Sequence, residues 1–419
     1  MSITQHEQNM ILAEQNFRRA KREGLAHVSV DPIPQNGRTI RIDGKELLHF
    51  GNCSYLGLDQ DPDLKAAVVE AVGRFGTQYS SSRAYSGLGL YDELEDRLST
   101  LFGSPTLVSA STTLGHLSAL PVLVHDGDAV LLDHQVHASV NMATQLLKAR
   151  GIHVEMVRHN HLGMLENRIV KLQSRYRRIW YLADGVYSMY GDMAPLHGLV
   201  ALLDRYESLH LYIDDAHGTG WTGPRGSGYV RTWIPEHPRV FITASLNKSF
   251  AAGGGALIFP DRASWQQVRD LGGTLIFGGP LQPPMLGAAI ASAQLHLSDR
   301  LPAMQDALLQ RIRRFNMLAA SHGIPLYQYA ETPIFYVYVG DTDAAYTLAG
   351  RMLESGIYAN IAAFPSVPRN QAGLRLTLTR HLLLQDIDWA VAAIAEELEA
   401  ILHTQGSSLR ALTDELAAA

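Results

Sequence analysis

Residues 178–184 read RIWYLAD and residues 210–214 read HLYID. Each is a short β-rich run that is apolar along most of its length and ends on a carboxylate, Asp184 or Asp214. A strand with one wet face alternates apolar and polar residues, so a run without alternation fits a strand buried on both faces, as in a parallel sheet. The same reading applies to Ala129–Asp133 (AVLLD), Val240–Thr243 (VFIT) and Gly255–Phe259 (GALIF). Helical patterns separate these runs, which predicts an α/β fold built on a large, doubly wound, mostly parallel sheet. In open sheets of this kind, ligand sites gather beyond the carboxyl ends of the strands. Asp133, Asp184 and the Asp214-Asp215 pair stand at such ends and predict one shared site.

Working outward, residues 7–22 read as an N-terminal amphipathic helix. Beyond FGGPLQPP (Phe277–Pro284) a long helical pattern runs to about residue 322. Strands near Ile334–Val339 and Leu374–Leu378 and a last helix near Asp386–Leu402 then form a smaller α+β region. The expected division is 1–50 for the N-terminal helix and connecting segment, 51–290 for the large domain, 291–405 for the small domain and 406–419 for a tail. The tail is expected to be mobile or a short surface helix.

Composition narrows the function classes. Of 419 residues, 46% are hydrophobic and 18% charged, enough apolar content for more than one domain. A formal net charge of -6 argues against a general nucleic-acid binder. No uninterrupted apolar run reaches about 18 residues, and the start MSITQHEQNM lacks the basic and apolar regions of a secretion signal. Cys53 is the only cysteine, so no intrachain disulfide forms, which fits a reducing cytoplasm. A small packing role suits it better than that of a nucleophile.

Five segments carry chemistry. In ASLNKSFAAGGG (244–255), Lys248 follows a strand, flanked by Ser245 and Ser249 and trailed by glycines. Burial would lower its pKa and arm it to attack an aldehyde, the hydroxyls suit a phosphate, and the glycines admit a flat ring. A surface lysine in a Gly-rich loop explains this segment alone equally well. In YIDDAHGTG (212–220), Asp214 closes a strand and His217 follows in the turn. A buried carboxylate there suits a pyridinium nitrogen, and His217 a ring oxygen; a capping Asp with a satisfied His is the plainer reading. A metal is disfavoured because no HExxH or cysteine cluster accompanies the pair. His137 in DHQVHASV (133–140) is placed to stack on a ring, although a loop histidine is more often structural. DGVYSMYGDMAPL (184–196) again leads from a strand end into polar residues. Arg375 in LRLTLTRH (374–381) lies in an apolar strand, where a substrate carboxylate or an internal ion pair would offset its burial.

Together these segments, from about Leu48 to Leu402, resemble the α-oxoamine synthases in order and spacing. The resemblance implies a pyridoxal 5′-phosphate (PLP) enzyme of fold type I, a homodimer, and condensation of an amino acid with an acyl thioester, on CoA or a carrier protein, with loss of CO₂. It implies Lys248 as the Schiff-base lysine, Asp214 on the pyridine nitrogen, His217 on the ring oxygen and His137 against the ring. Ser188 and Ser245 resemble cofactor contacts, and Arg375 the arginine for the substrate carboxylate. Catalysis would rest on Lys248, Asp214 and His137, with no metal.

Several positions depart from the family pattern. SASTTLGH puts Ser111 and Thr112 where a glycine and an aromatic residue usually line the cofactor. NCSYLG has Cys53 in place of an asparagine, AFPSVP has Ala363 in place of an arginine, and SGLGLYDELE lacks a histidine. FGGPLQPP replaces a threonine-bearing stretch that reaches the partner's phosphate. The departures fall on the phosphate and substrate sides and point to a secondary-metabolite or signalling synthase rather than a biotin enzyme. The competing readings are a PLP aminotransferase or aldol-type lyase without a thioester, a non-catalytic PLP-fold subunit, and a metal hydrolase using RHNH (158–161). The last lacks a carboxylate at ligand spacing.

Overall fold

The runs without polar alternation form the central layer. The computed structural model describes residues 4–418. Its first nine strands are β1 (Thr39–Ile42), β2 (Lys45–His49), β3 (Thr106–Ser109), β4 (Ala129–Asp133), β5 (His153–Val157), β6 (Ile179–Asp184), β7 (Leu209–Asp214), β8 (Val240–Ser245) and β9 (Gly255–Ile258). Four more follow: β10 (Ile334–Gly340), β11 (Ile357–Tyr358), β12 (Asn360–Ala362) and β13 (Ala372–Thr377). The helices used below are α1 (Gln5–Arg22), α2 (Pro62–Phe75), α3 (Leu90–Phe102), α4 (Thr112–Leu123) and α5 (Ala138–Ala149).

Seven strands make one sheet in the order β3-β9-β8-β7-β6-β4-β5. Successive side chains of a strand point to opposite faces, and both faces here are covered. Ala129 and Leu131 pack in one core with Ile179, Tyr181, Leu211 and Ile213. Val130 and Leu132 pack in the other with Trp180, Leu182 and Tyr212. Strands β5, β4, β6, β7 and β8 are parallel, whereas β9 runs antiparallel to both β8 and β3. Gly255–Phe259, grouped by its apolar run with the parallel strands, is therefore reversed. Only residues 246–254 separate β8 from β9, too few for a parallel crossover of about a dozen residues or more.

The chain divides into two units. One holds Leu56–Ser188 and Met193–Gln305, and with them the whole seven-stranded sheet. The other holds the N-terminal part through Tyr55, Met189–Asp192, and the chain from Asp306 onward. This differs from the division expected from sequence, which kept the N-terminal segment apart and began the small domain at 291. Pairing explains the difference: β11 adds to β2 in parallel, Ile357 opposite Leu48. Tyr190, inside the 189–192 insertion, stacks on Tyr327 with ring centroids 4.1 Å apart.

Within that second unit, β13 lies between β10 and β12, with Arg375 opposite Tyr336 and Asn360. The tail is a helix, Leu409–Ala418, with Leu412 buried and Glu415 accepting a hydrogen bond from Tyr338 Oη at 2.9 Å. The single long helix expected after Pro284 is two, Pro283–His296 and Leu301–Ser321. Pro302 accounts for the break, because proline is tolerated in a first turn and not in a helix interior.

Candidate active site

Parallel register brings several strand ends level. Asp184 on β6 is paired with Asp214 on β7, and Asp214 with Thr243 on β8. Beyond them lies a cavity of 220 Å³ lined by Lys248, Asp214, His217, His137, Ser245, Ser111 and Thr112, seven of the positions singled out in the sequence. Thr113, Ser139, Asp184, Ala216 and Asn247 also line it. Ser188 is half-buried and is not among the described residues lining this cavity. Arg375 belongs to the other unit, half-buried on β13, where its Nη2 donates to Cys53 Sγ at 3.8 Å.

One wall is the N-terminus of α4. Ser111 is the N-cap, and its Oγ accepts from Leu114 N–H at 3.2 Å, leaving the hydroxyl proton free to donate. A helix start offers unpaired N–H groups and a positive dipole end, which suits an anion. Gly255 permits this placement, since a Cβ there would lie 2.6 Å from Thr112 N and 2.7 Å from Thr112 Cα. The glycines of 253–255 make room for the protein's own side chains and backbone, Gly253 against Leu281 and Met285 and Gly254 against Ser109 O. Ser249 is likewise a packing residue: it is fully buried and pressed against Gly220.

His137 caps α5 from the end of the β4 loop. Its Nδ1 accepts from Ser139 N–H at 3.3 Å and lies 2.6 Å from Ser139 Oγ, so the neutral ring carries its proton on Nε2. The backbone N–H of His137 donates to Asp184 Oδ1 at 3.0 Å. Partial desolvation lowers the His137 pKa; Asp214 pulls the other way, and the Lys248 charge adds to the lowering.

Three buried carboxyls sit at these strand ends with unlike states. Asp214 accepts from His116 Nε2–H at 3.0 Å and from Ala216 N–H at 3.1 Å. Burial acts to raise its pKa, but His116, Lys248 and His137 outweigh it and hold it down to about 2. Asp184 is pushed well up by burial and by the charge of Asp214. Asp215 is pushed up by burial as well and is caged by Gly185, Gly218 and Gly228, where added Cβ atoms would lie 2.1–2.4 Å from its carboxyl oxygens. Lys248, expected to be buried, is half-buried in the turn after β8, and Ser245 Oγ donates to Asn247 Oδ1 beside it.

The cavity thus presents a helix N-terminus with hydroxyls, an ionised buried carboxylate, a primary amine and a neutral imidazole. A phosphate, a basic ring nitrogen and an aldehyde match the first three, so the residues present fit PLP. The aminotransferase class I and II family matches residues 45–394. The chain is 33% identical over 365 residues to 8-amino-7-oxononanoate synthase of Symbiobacterium thermophilum, covering 87% of this chain and 91% of that protein. It is also 33% identical over 364 residues to the enzyme of that name from Dechloromonas aromatica, covering 86% and 92%. The chain belongs to the α-oxoamine synthases. Its cofactor is PLP and its fold is type I. Serine palmitoyltransferase of Sphingomonas wittichii superimposes with a TM-score of 0.85 at 23% identity, covering 96% of this chain and 99% of that one. The 8-amino-7-oxononanoate synthase of Francisella tularensis does so with a TM-score of 0.71 at 21% identity, covering 84% and 98%.

The sequence reading missed His116 and gave no role to Asp184. The one local signal of His116 is that it is the only ionisable residue of α4.

Proposed function

We propose that this chain joins an amino acid to an acyl thioester with loss of CO₂, releasing an α-aminoketone. The observation that carries the reading is the single cavity holding Lys248, Asp214, His217 and His137, in a chain one-third identical to 8-amino-7-oxononanoate synthases. The product in that name is itself an α-aminoketone: cut beside its ketone, it resolves into an amino acid lacking its carboxyl group and a diacid acyl chain.

Bound PLP supplies the electron sink for negative charge formed at the α-carbon. Lys248 Nζ accepts the α-proton and later returns it. Asp214 holds a proton at the ring nitrogen by remaining a carboxylate, which its hydrogen bonds favour. His217 donates to the ring oxygen, and Ser111, Thr112 and Ser245 hold the phosphate side. His137 Nε2–H would donate to the acyl oxygen as the acyl carbon exchanges its bond to sulfur for one to the α-carbon; CO₂ then leaves from the α-carbon, which takes back the proton held by Lys248. Arg375 takes the amino-acid carboxylate, and Ser188 remains a candidate cofactor contact. A homodimer is supported by the 90% exposed Tyr85 and 89% exposed Phe277, whose segments are joined by Ser82 Oγ donating to Ile276 O. No described helix is long and apolar enough to cross a membrane, in keeping with a cytoplasmic enzyme.

Absorbance between 300 and 550 nm tests the cofactor and its lysine. Purified protein with PLP is expected to show a visible band that borohydride abolishes and Lys248→Ala lacks. Amino acids supplied with acyl thioesters are then expected to release free thiol and CO₂. Turnover of an amino acid with a 2-oxo acid in place of thioester would instead make it an aminotransferase.

A further inference from the structure

We infer that His116 is a positioning residue for Asp214, the end of a buried hydrogen-bond chain from Tyr212 through His116 that fixes the carboxylate's orientation and charge. This rests on the cofactor reading above and deepens it. His116 Nε2 is 3.0 Å from Asp214 Oδ2, and His116 Nδ1 is 2.9 Å from Tyr212 Oη. All three side chains are buried, His116 completely. A carboxylate can only accept, so Nε2 carries the hydrogen. In the neutral ring Nδ1 can then only accept, and the Tyr212 hydroxyl must donate. With the ring neutral, the chain runs from Tyr212 to His116 to Asp214.

The geometry leaves little room for a merely structural role. Tyr212 and Asp214 are two apart on β7 and share a sheet face, the face on which α4 packs. Along α4, His116 occupies the stripe of Leu120 and Leu123, both buried. An apolar side chain at 116 would continue that stripe without burying a polar group. The other groups facing Asp214 from neighbouring elements are Asp184 on β6, His137 at α5 and Lys248 after β8, with Asp215 next in the chain. On Asp214, the Ala216 N–H holds Oδ1 and His116 holds Oδ2. Without His116 the carboxylate is free to swing and loses the donor that offsets its burial beside Asp184.

The test uses full-length His116→Phe, His116→Gln and Tyr212→Phe. Nitrogen-15 NMR of the histidine rings in wild-type protein without added PLP is expected to show an exchange-protected Nε2–H on His116, with Nδ1 shifting in Tyr212→Phe. PLP binding to His116→Phe is expected to weaken about ten- to a hundredfold, the loss of one charge-assisted hydrogen bond. The pH midpoint of its visible band should move by about one unit or more. His116→Gln, whose amide N–H can replace the Nε2 donor, should recover most of both. A proton on Nδ1 with none on Nε2 would overturn the proposal, as would a His116→Phe protein that keeps the wild-type PLP affinity and pH midpoint. Should His116→Phe fail to fold, Tyr212→Phe and His116→Gln decide it by the same two readouts. Should wild-type protein show no band with PLP, the cofactor reading fails, and the NMR result still decides the relay.

Discussion

Replacing Gly255 by alanine should disturb the phosphate end of the site without touching any side chain in it. Gly255 opens β9 and its φ is not in the left-handed region, so the objection to alanine is purely steric. The new Cβ would lie 2.6 Å from Thr112 N, 2.7 Å from Thr112 Cα and 2.9 Å from Ser111 C. Ordinary carbon contacts lie near 3.5–4.0 Å, so something must retreat by roughly 1 Å. The strand is held on both sides, Gly255 being opposite Ser109 on β3 and Ser245 on β8. The start of α4 must therefore move. Overpacking of this kind costs about 1–3 kcal/mol, which for a domain of this size lowers Tm by roughly 2–4 °C per kcal/mol. Losing one charge-assisted hydrogen bond to phosphate weakens PLP about tenfold or more. Gly273→Ala in the same unit is the control, because its added Cβ meets nothing within 4 Å. Thermal unfolding without PLP and an absorbance titration with PLP measure the two effects separately. Wild-type values for both in Gly255→Ala would refute the steric argument, and a lowered Tm with unchanged PLP affinity would refute the phosphate assignment.

Burial holds the pKa of His296 down to about 4. The unfolded chain takes that proton near pH 6.5, so this contribution to stability is complete above about 6.5 and is lost as pH falls toward 4, about 3 kcal/mol in all. Urea unfolding at pH 7 and pH 4.5 should show the drop and His296→Phe should reduce it; an equal drop in that variant would refute the assignment. Arg375→Ala is expected to raise the amino-acid KM about ten- to a hundredfold while leaving PLP binding intact, with Arg375→Lys recovering little because its single ammonium cannot fork onto a carboxylate. An unchanged KM would remove Arg375 from the substrate site.

The parallel strands were legible because burial on both faces erases alternation, and Lys248, Asp214 and His137 because each stands at or just beyond a strand end. Strand β5, HVEMV, escaped notice because it is a sheet edge whose first four residues are only partly buried or exposed. Strand β3 has only the four residues TLVS. The reversal of β9 is a matter of connection length rather than composition. His116 was out of reach for another reason: its partner Asp214 lies 98 residues away, and nothing local distinguishes a histidine that serves a carboxylate from one that fills a core. The grouping of the N-terminal segment with the C-terminal unit likewise depends on a pairing, Leu48 with Ile357, that no local pattern reports.

One of the departures from the family pattern, at Ser111 and Thr112, and the residue that was missed fall at the same helix. Thr112 and His116 are four apart on α4 and share a face, with Ser111 capping the turn before them. The family resemblance leads to a glycine and an aromatic residue near this turn, and here two hydroxyls, of Ser111 and Thr112, line the cavity instead. One turn further along, His116 reaches Asp214, at the opposite functional end of the cofactor site. A helix is stiff over one turn, so a single element positions both the Ser111 and Thr112 hydroxyls and the carboxylate of Asp214. Its position is fixed in turn by Gly255 and by Gly115, where a Cβ would lie 2.9 Å from Ser109 Oγ. On this reasoning the altered phosphate side is not a weakened copy of the family's site. A change anywhere along residues 111–116 should alter PLP affinity and ring protonation together rather than one at a time.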